Sequence, residues 1–296
     1  MNVSGRIWPK RSKTNAIMDE ISRLKDIAAE LRKKIFRMAL RAGGGHIAPA
    51  FSTVEVLTAL YFKILKIDAK KPLDDSRDRF ILSKGHGCAA LYAVLAQAGF
   101  IEEKLLDSFC REGGLLGGHP DIQMVPGIEA TTGALGHGIV FAAGIALAGK
   151  IDEKNYRVFT LVGDGECQEG SVWETAMFAS HHRLDNLIAI VDYNKLQALG
   201  PISDIMGLEP LKEKWEAFGW AVREVDGHDL KEIVNVLSAV PFEKDKPNLL
   251  IAHTVKGKGI SFMENVPIWH YRLPEEEQLA AAFKELGMNP DEELPG

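Results

Sequence analysis

Residues 158–194 read VFTLVGDGECQEGSVWETAMFASHHRLDNLIAIVDYN, and their pattern decides the fold. Two apolar runs, Val158 to Val162 and Leu187 to Val191, have the length and β-branched content of buried strands, and the stretch from Ser171 to Arg183 between them is amphipathic. That is a βαβ unit. Its strands lie parallel, so the loops at their carboxyl ends face one crevice. The first run ends in Gly163-Asp164-Gly165 and the second in Asp192-Tyr193-Asn194, which brings Asp164 and Asn194 within reach of one ligand. A carboxylate and an amide oxygen are hard donors; with the backbone carbonyl of Leu196 they suit Mg²⁺, Ca²⁺ or Mn²⁺ and leave coordination positions for diphosphate oxygens. Gly-Asp-Gly taken alone reads as a tight turn, and it is the spaced Asn194 with the flanking strands that favours the ligand reading.

Outward from this unit the alternation continues. A helix is expected from Glu209 to Phe218, a strand from Trp220 to Val225, a helix from Leu230 to Val240 and a strand from Asn248 to Thr254. Upstream the pattern is helical: Ile17 to Leu40, Thr53 to Leu65 behind a Ser52 or Thr53 cap, and Ala89 to Ala98 ending at Gly99. Ala130 to Gly149 is rich in Ala and Gly and suits a closely packed helix, while Pro274 to Leu286 reads as a charged surface helix. The expected class is α/β, a doubly wound, mostly parallel sheet flanked by helices. No repeat or linker breaks it, so residues 16–296 are expected as a single domain behind an N-terminal tail, residues 1–15, which carries Lys10, Arg11 and Lys13.

Composition bounds the partners. A hydrophobic content of 46% is ample for a core, and a net charge of −6 argues against nucleic acid, which asks for a basic face. No apolar run approaches the ~20 residues of a membrane span. Cys88, Cys110 and Cys167 form an odd set without CxxC spacing, which fits a reducing cytoplasm.

Five of the nine histidines, His46, His86, His119, His137 and His228, directly follow a glycine. Such positions let backbone approach a ligand closely, and several of these rings are expected to line a pocket as donors to anionic oxygens or as proton carriers. No HxxxH or HExxH spacing supports a histidine metal site. Lys256, among glycines after the last strand, is placed to meet an anion or to be a surface lysine.

Together these residues resemble the diphosphate-binding, N-terminal domain of the transketolase family, from about Ile17 to Pro274. The resemblance implies thiamine diphosphate as cofactor, with Asp164, Asn194 and the Leu196 carbonyl on the cation. It implies that His86 in Leu82-Ser83-Lys84-Gly85-His86-Gly87, Gly165, Lys256 and His270 lie beside the diphosphate. Gly133 and Leu135, in Thr132-Gly133-Ala134-Leu135-Gly136, would run along the cofactor, and His46, His119 and His270 would serve the sugar hydroxyls and the reaction centre. Glu169 would bind the cofactor near a subunit interface. His137 replaces a frequent glutamine, and Gln197 lies one residue nearer Asn194 than the family's pocket glutamine.

Full transketolases carry a second domain, about as long again, with the glutamate that activates the cofactor. Nothing after Lys256 is long enough to supply it. The expectation is therefore the N-terminal subunit of a split transketolase, working with a separate C-terminal subunit in an α2β2 assembly on sugar phosphates. The readings weighed against it are a deoxyxylulose-phosphate-synthase-like enzyme, the α subunit of a 2-oxo acid or acetoin dehydrogenase, and a non-catalytic diphosphate-binding protein.

Overall fold

The computed structural model describes residues 13–293. Its first part is helical: α1 Lys13–Ala42, α2 Ile47–Phe51 and α3 Val54–Ala59, the last continued by a wider turn over Leu60–Ile64. Then come β1 Arg79–Leu82, α4 Cys88–Gln97, α5 Gly138–Ile151, β2 Val158–Gly163, α6 Gly170–His181 and β3 Leu187–Tyr193. The remainder is α7 Ile202–Ile205, α8 Leu211–Ala217, β4 Ala221–Asp226, α9 Leu230–Leu237, β5 Asn248–His253, α10 Glu276–Leu286 and α11 Pro290–Glu293.

All five strands are parallel, in the order β1-β2-β3-β5-β4. The steps β1 to β2, β2 to β3 and β3 to β4 cross the sheet in one direction, and their helices α5, α6 and α8 pack on one face. The step β4 to β5 runs back, with α9 on the other face beside α1 to α4. Right-handed crossovers require that reversal of direction to switch faces. Alternate strand residues divide accordingly: Phe159, Leu161, Ile188 and Ile190 point into the core under α1, α4 and α9, and Val158, Val162, Ala189 and Val191 into the core under α5, α6 and α8. Both faces are covered, which is why these strands read as continuous apolar runs.

The doubly wound α/β expectation matches this architecture, and several elements refine it. β1 was not expected; only four residues long, it carries too little pattern to show a period. The helix α1 begins at Lys13, inside the expected tail, and the rest of that tail, with Lys10 and Arg11, lies outside the described residues. Thr53 occupies the N-cap of α3 without capping it, because its hydroxyl donates back to Ala50 O at 2.9 Å. The α10 helix is more than a charged surface element, since Phe283 is buried edge-on against Phe36 of α1. The α5 helix buries Ala142, Ala146 and Gly149 while leaving Val140 and Phe141 nearly half exposed.

Candidate functional site

Four strands deliver their carboxyl-terminal loops to one cavity of about 320 Å³. Lys84 and His86 follow β1, Gly163 to Glu166 close β2, Asn194 to Ala198 follow β3, and Lys256 follows β5. His46 and Pro49 from the start of α2, Gly133 and Leu135, and His270 complete the wall. A larger cleft, about 500 Å³, lies at the opposite ends of the strands between Lys150 and Pro241. Its lining charges satisfy nearby groups, Lys150 with Asp185 and Arg157 with Asp78, and no strand carboxyl end reaches it. The smaller cavity holds the chemistry, as the crevice rule for parallel sheets requires.

Asp164 is 4% exposed and accepts from Gly165 N–H at 2.7 Å and Lys195 N–H at 2.5 Å. Burial, with the charge of Asp192 added, pushes its carboxyl up to about 6. A buried carboxylate in this condition regains its charged form beside a cation. Asn194 Oδ1 accepts from Leu196 N–H at 3.1 Å. Lys256, 1% exposed, reaches across to donate to the Leu196 and Gln197 carbonyls, both at 3.1 Å, and lies 2.8 Å from His270 Nδ1. An ammonium only donates, so His270 Nδ1 accepts and its proton sits on Nε2. Burial, then the charge of Lys84, brings Lys256 down to about 8.

Two glycines permit this arrangement. Gly136 holds φ +77°, and a Cβ there would lie 2.3 Å from Ser171 Oγ, so the 133–136 loop can rest on the start of α6 only with glycine. A Cβ on Gly85 would stand 2.8 Å from Gly133 N, so the two cavity loops touch backbone to backbone. Behind them Glu166 accepts from Ser83 Oγ at 2.5 Å, Gly136 N–H at 2.8 Å and Gly163 N–H at 3.0 Å, joining three loops through one buried carboxylate.

The imidazoles gather on His46. Its ring centroid lies 5.5 Å from His86, 6.4 Å from His119 and 5.2 Å from His270. His119 stands beside the cavity wall, where a Cβ on Gly133 would approach its ring at 3.2 Å. Burial holds three of these rings neutral: His46 falls to about 4, with His119 and Lys84 adding, His270 falls to about 3, with Lys256 adding, and His86 falls further. Neutral rings offer one N–H and one lone pair each.

Two of the five glycine-preceded histidines lie elsewhere. His137 is exposed, its Nδ1 3.0 Å from Leu135 O. His228 Nε2 accepts from Val255 N–H at 2.8 Å, so its Nδ1 carries the proton and donates to Glu55 at 2.9 Å. Glu169, expected at the cofactor, is instead exposed at the N-terminus of α6, outside the cavity lining, because the helix start turns its side chain to solvent. Residues not singled out as site candidates from the sequence form the cavity floor: Asp192, Lys84, Ser52 and Thr254 make one buried hydrogen-bonded group. A charged residue near the end of an otherwise apolar buried strand was the signal available for Asp192.

The donor set suits a divalent cation bridging to a diphosphate. Asp164, Asn194 and Leu196 offer hard oxygens, the Lys84 and Lys256 ammoniums lie beside them, and Gln197 Nε2 is buried in the wall without a partner. Among the described residues no group of three or more His, Cys, Asp or Glu side chains is placed to hold a metal, so a cation here relies on the amide and the carbonyl. A family model described as transketolase, thiamine diphosphate binding domain, matches residues 25–295.

The chain belongs to the transketolase family.

An apulose-4-phosphate transketolase subunit of Phocaeicola vulgatus is 44% identical over 255 residues, covering 86% of this chain and 90% of that protein. The 6-deoxy-6-sulfo-D-fructose transketolase subunit SqwG of a Clostridium species is 45% identical, covering 86% of this chain and 93% of that protein. Human transketolase is 36% identical over 288 residues, 93% of this chain but 46% of the human protein. Among solved structures, transketolase from Campylobacter jejuni matches with a TM-score of 0.85 and 32% identity, over 92% of this chain and 43% of that one. The chain thus spans less than half the length of these last two transketolases. No helix among its described residues is long and apolar enough to cross a membrane.

The neutral histidines of this transketolase-family site set an acid limit on stability. Each has a folded pKa below the ordinary 6.5, so below pH 6.5 the unfolded chain binds more protons and stability falls on acidification. For His46 the loss continues to about pH 4 and for His270 to about pH 3. Asp164, raised to about 6, and Glu166, also raised by burial, work in the opposite sense, two groups against three. The melting temperature of the ligand-free chain should drop between about pH 6.5 and 4.5, and H46N/H270N should flatten that slope. An unchanged slope in the double variant would refute the assignment.

Proposed function

We propose that this chain is the N-terminal subunit of a two-polypeptide transketolase, built as one α/β domain over residues 16–296. Together with a C-terminal subunit it would move a two-carbon ketol unit from a ketose to an aldose. The observation that carries the reading is coverage: relatives named as subunits are matched over 90% and 93% of their length, human transketolase over 46%. The relatives' names point to donors bearing a phosphate or sulfo group, and an anionic ketose is the substrate class we assign. An α2β2 assembly in the cytoplasm accompanies this reading.

In this function Asp164, Asn194 Oδ1 and the Leu196 carbonyl hold Mg²⁺, or Ca²⁺ or Mn²⁺ in its place. Lys256 would then be shared between its carbonyl partners and the diphosphate of thiamine diphosphate, and His86 would add a donor beside the close-lying Gly165 backbone. Gly133 and Leu135 run along the cofactor. Thiamine diphosphate, when bound, supplies the chemistry that breaks and remakes the C–C bond. His46, His119 and His270 supply hydrogen bonds to the substrate oxygens and carry their protons. His270, with its proton on Nε2, is a ready donor, and loss of one such donor typically costs about 3 kcal/mol of transition-state stabilisation. Exposed Glu169 is assigned to the subunit interface.

Purified alone, the chain should show no ketol transfer from xylulose 5-phosphate to ribose 5-phosphate. Adding the C-terminal subunit, thiamine diphosphate and Mg²⁺ should restore transfer from an anionic ketose. Activity of the chain alone would overturn the split-subunit reading, and a reconstituted pair that decarboxylates pyruvate but ignores every ketose would overturn the reaction assigned.

A further inference from the structure

Asp192 is the penultimate residue of β3, two before Asn194, and is 1% exposed. Its Oδ2 accepts from Ser52 Oγ at 2.7 Å, from the Lys84 ammonium, and from the Asn194 side-chain NH₂ at 3.1 Å; its Oδ1 accepts from the Thr254 hydroxyl. Every one of these contacts makes the carboxylate an acceptor. A primary amide has two unlike ends, and a neighbour that only accepts must face the NH₂ end. With its NH₂ on Asp192, Asn194 turns its oxygen the other way, toward Leu196 N–H at 3.1 Å, with a second lone pair to spare.

We propose that Asp192 is a positioning residue for the cation: it locks the Asn194 amide so that oxygen, and not NH₂, faces the metal. The inference rests on the reading of Asp164 and Asn194 as cation ligands. An amide turned the other way would aim N–H donors at a cation and contribute nothing to holding it. Asp192 is itself fixed from three other segments, by Ser52 before α3, Lys84 after β1 and Thr254 after β5. The orientation of one ligand is thereby tied to the packing of the whole strand-end crevice, in the way outer partners of metal ligands generally act.

The test is Mn²⁺ binding by the full chain in the presence of inorganic pyrophosphate, followed by electron paramagnetic resonance. The unmodified chain should bind and D164N should not. D192N can keep its oxygen toward Asn194, Ser52 and Lys84 by turning its NH₂ to the Thr254 hydroxyl, which is able to accept. D192L keeps no acceptor. D192L should therefore bind Mn²⁺ about 10-fold or more weakly than D192N, the size expected when an outer partner of a ligand is lost. Equal affinities in the two variants would overturn the inference while leaving the cation reading intact; no binding by the unmodified chain would remove the cation reading and the inference with it. A measurement on the unmodified chain stands apart from the folding of any variant. With Mg²⁺ and pyrophosphate bound, the Asn194 side-chain amide protons should stay protected from solvent exchange by Asp192, and rapid exchange would overturn the inference.

Discussion

Asp164→Ala should reduce divalent-cation affinity by about 1,000-fold and take ketol transfer in the reconstituted enzyme below detection. The site holds two buried ammoniums, Lys84 and Lys256, and three buried carboxylates, Asp164, Asp192 and Glu166. Removing Asp164 takes away one unit charge that attracts the cation, and a unit charge pair about 4 Å apart is worth about 4 kcal/mol at an effective dielectric near 20. That energy corresponds to the loss given. The substitution also releases Gly165 N–H and Lys195 N–H, whose hydrogen bonds to the carboxylate shape the loop after β2 against the loop after β3. Calorimetric titration of Mg²⁺ into the chain with pyrophosphate present measures the first effect and coupled-enzyme kinetics the second. Cation affinity within about threefold of the unmodified chain would remove Asp164 from the site. Substitution at His46 should behave differently, lowering kcat while cation affinity holds, because His46 reaches the cavity from α2 and belongs to no part of the Asp164 and Asn194 pair.

The Asp164 and Asn194 pair was legible because both strands before it are apolar on each face and the helix between them keeps its period. Those are local signals. Strand β1 was missed because Arg79 to Leu82 is too short to show a period, and it becomes a strand only by pairing with β2. The glycine-histidine pattern marked loops correctly and could not say where the rings point. His86 follows β1 and His228 follows β4, the two edge strands of the sheet, yet His86 enters the crevice while His228 turns onto Glu55 of α3. The floor of the site was unread for a related reason. Asp192, Lys84, Ser52 and Thr254 come from four separate segments, and nothing in the sequence near any one of them names the other three. Buried polar groups need partners, so each was a question the sequence posed and only the fold answered.

Arg32→Met should destabilise the fold by about 3–5 kcal/mol, a large share of the roughly 5–15 kcal/mol typical of a domain. Arg32 on α1 donates to both oxygens of Glu55 on α3, at 2.7 and 2.9 Å, with both side chains 10% exposed. Burial alone would raise the Glu55 carboxyl, but the His228 hydrogen bond and the Arg32 charge more than offset it and hold the group at about 2. Its stabilising contribution is therefore present above pH 4.5, its ordinary value, and lost as pH falls through about 2. Without Arg32 the carboxylate stays buried with only His228 to answer it, its pKa rises, and acid unfolding should begin at higher pH. Urea denaturation at about pH 7 should show the lower midpoint with an unchanged slope, and R32M/E55L should recover most of the loss, since apolar replacement of both partners leaves no buried charge. A double variant as unstable as R32M would show that the ion pair is not the source. The same arginine donates to Lys258 O at 2.8 Å, and His228 accepts from Val255 N–H, so this network grips the chain on both sides of Lys256. Loss of Arg32 should then weaken cofactor binding even in buffer where the variant remains folded, because the loop that aims Lys256 at the cavity has lost one of its two anchors.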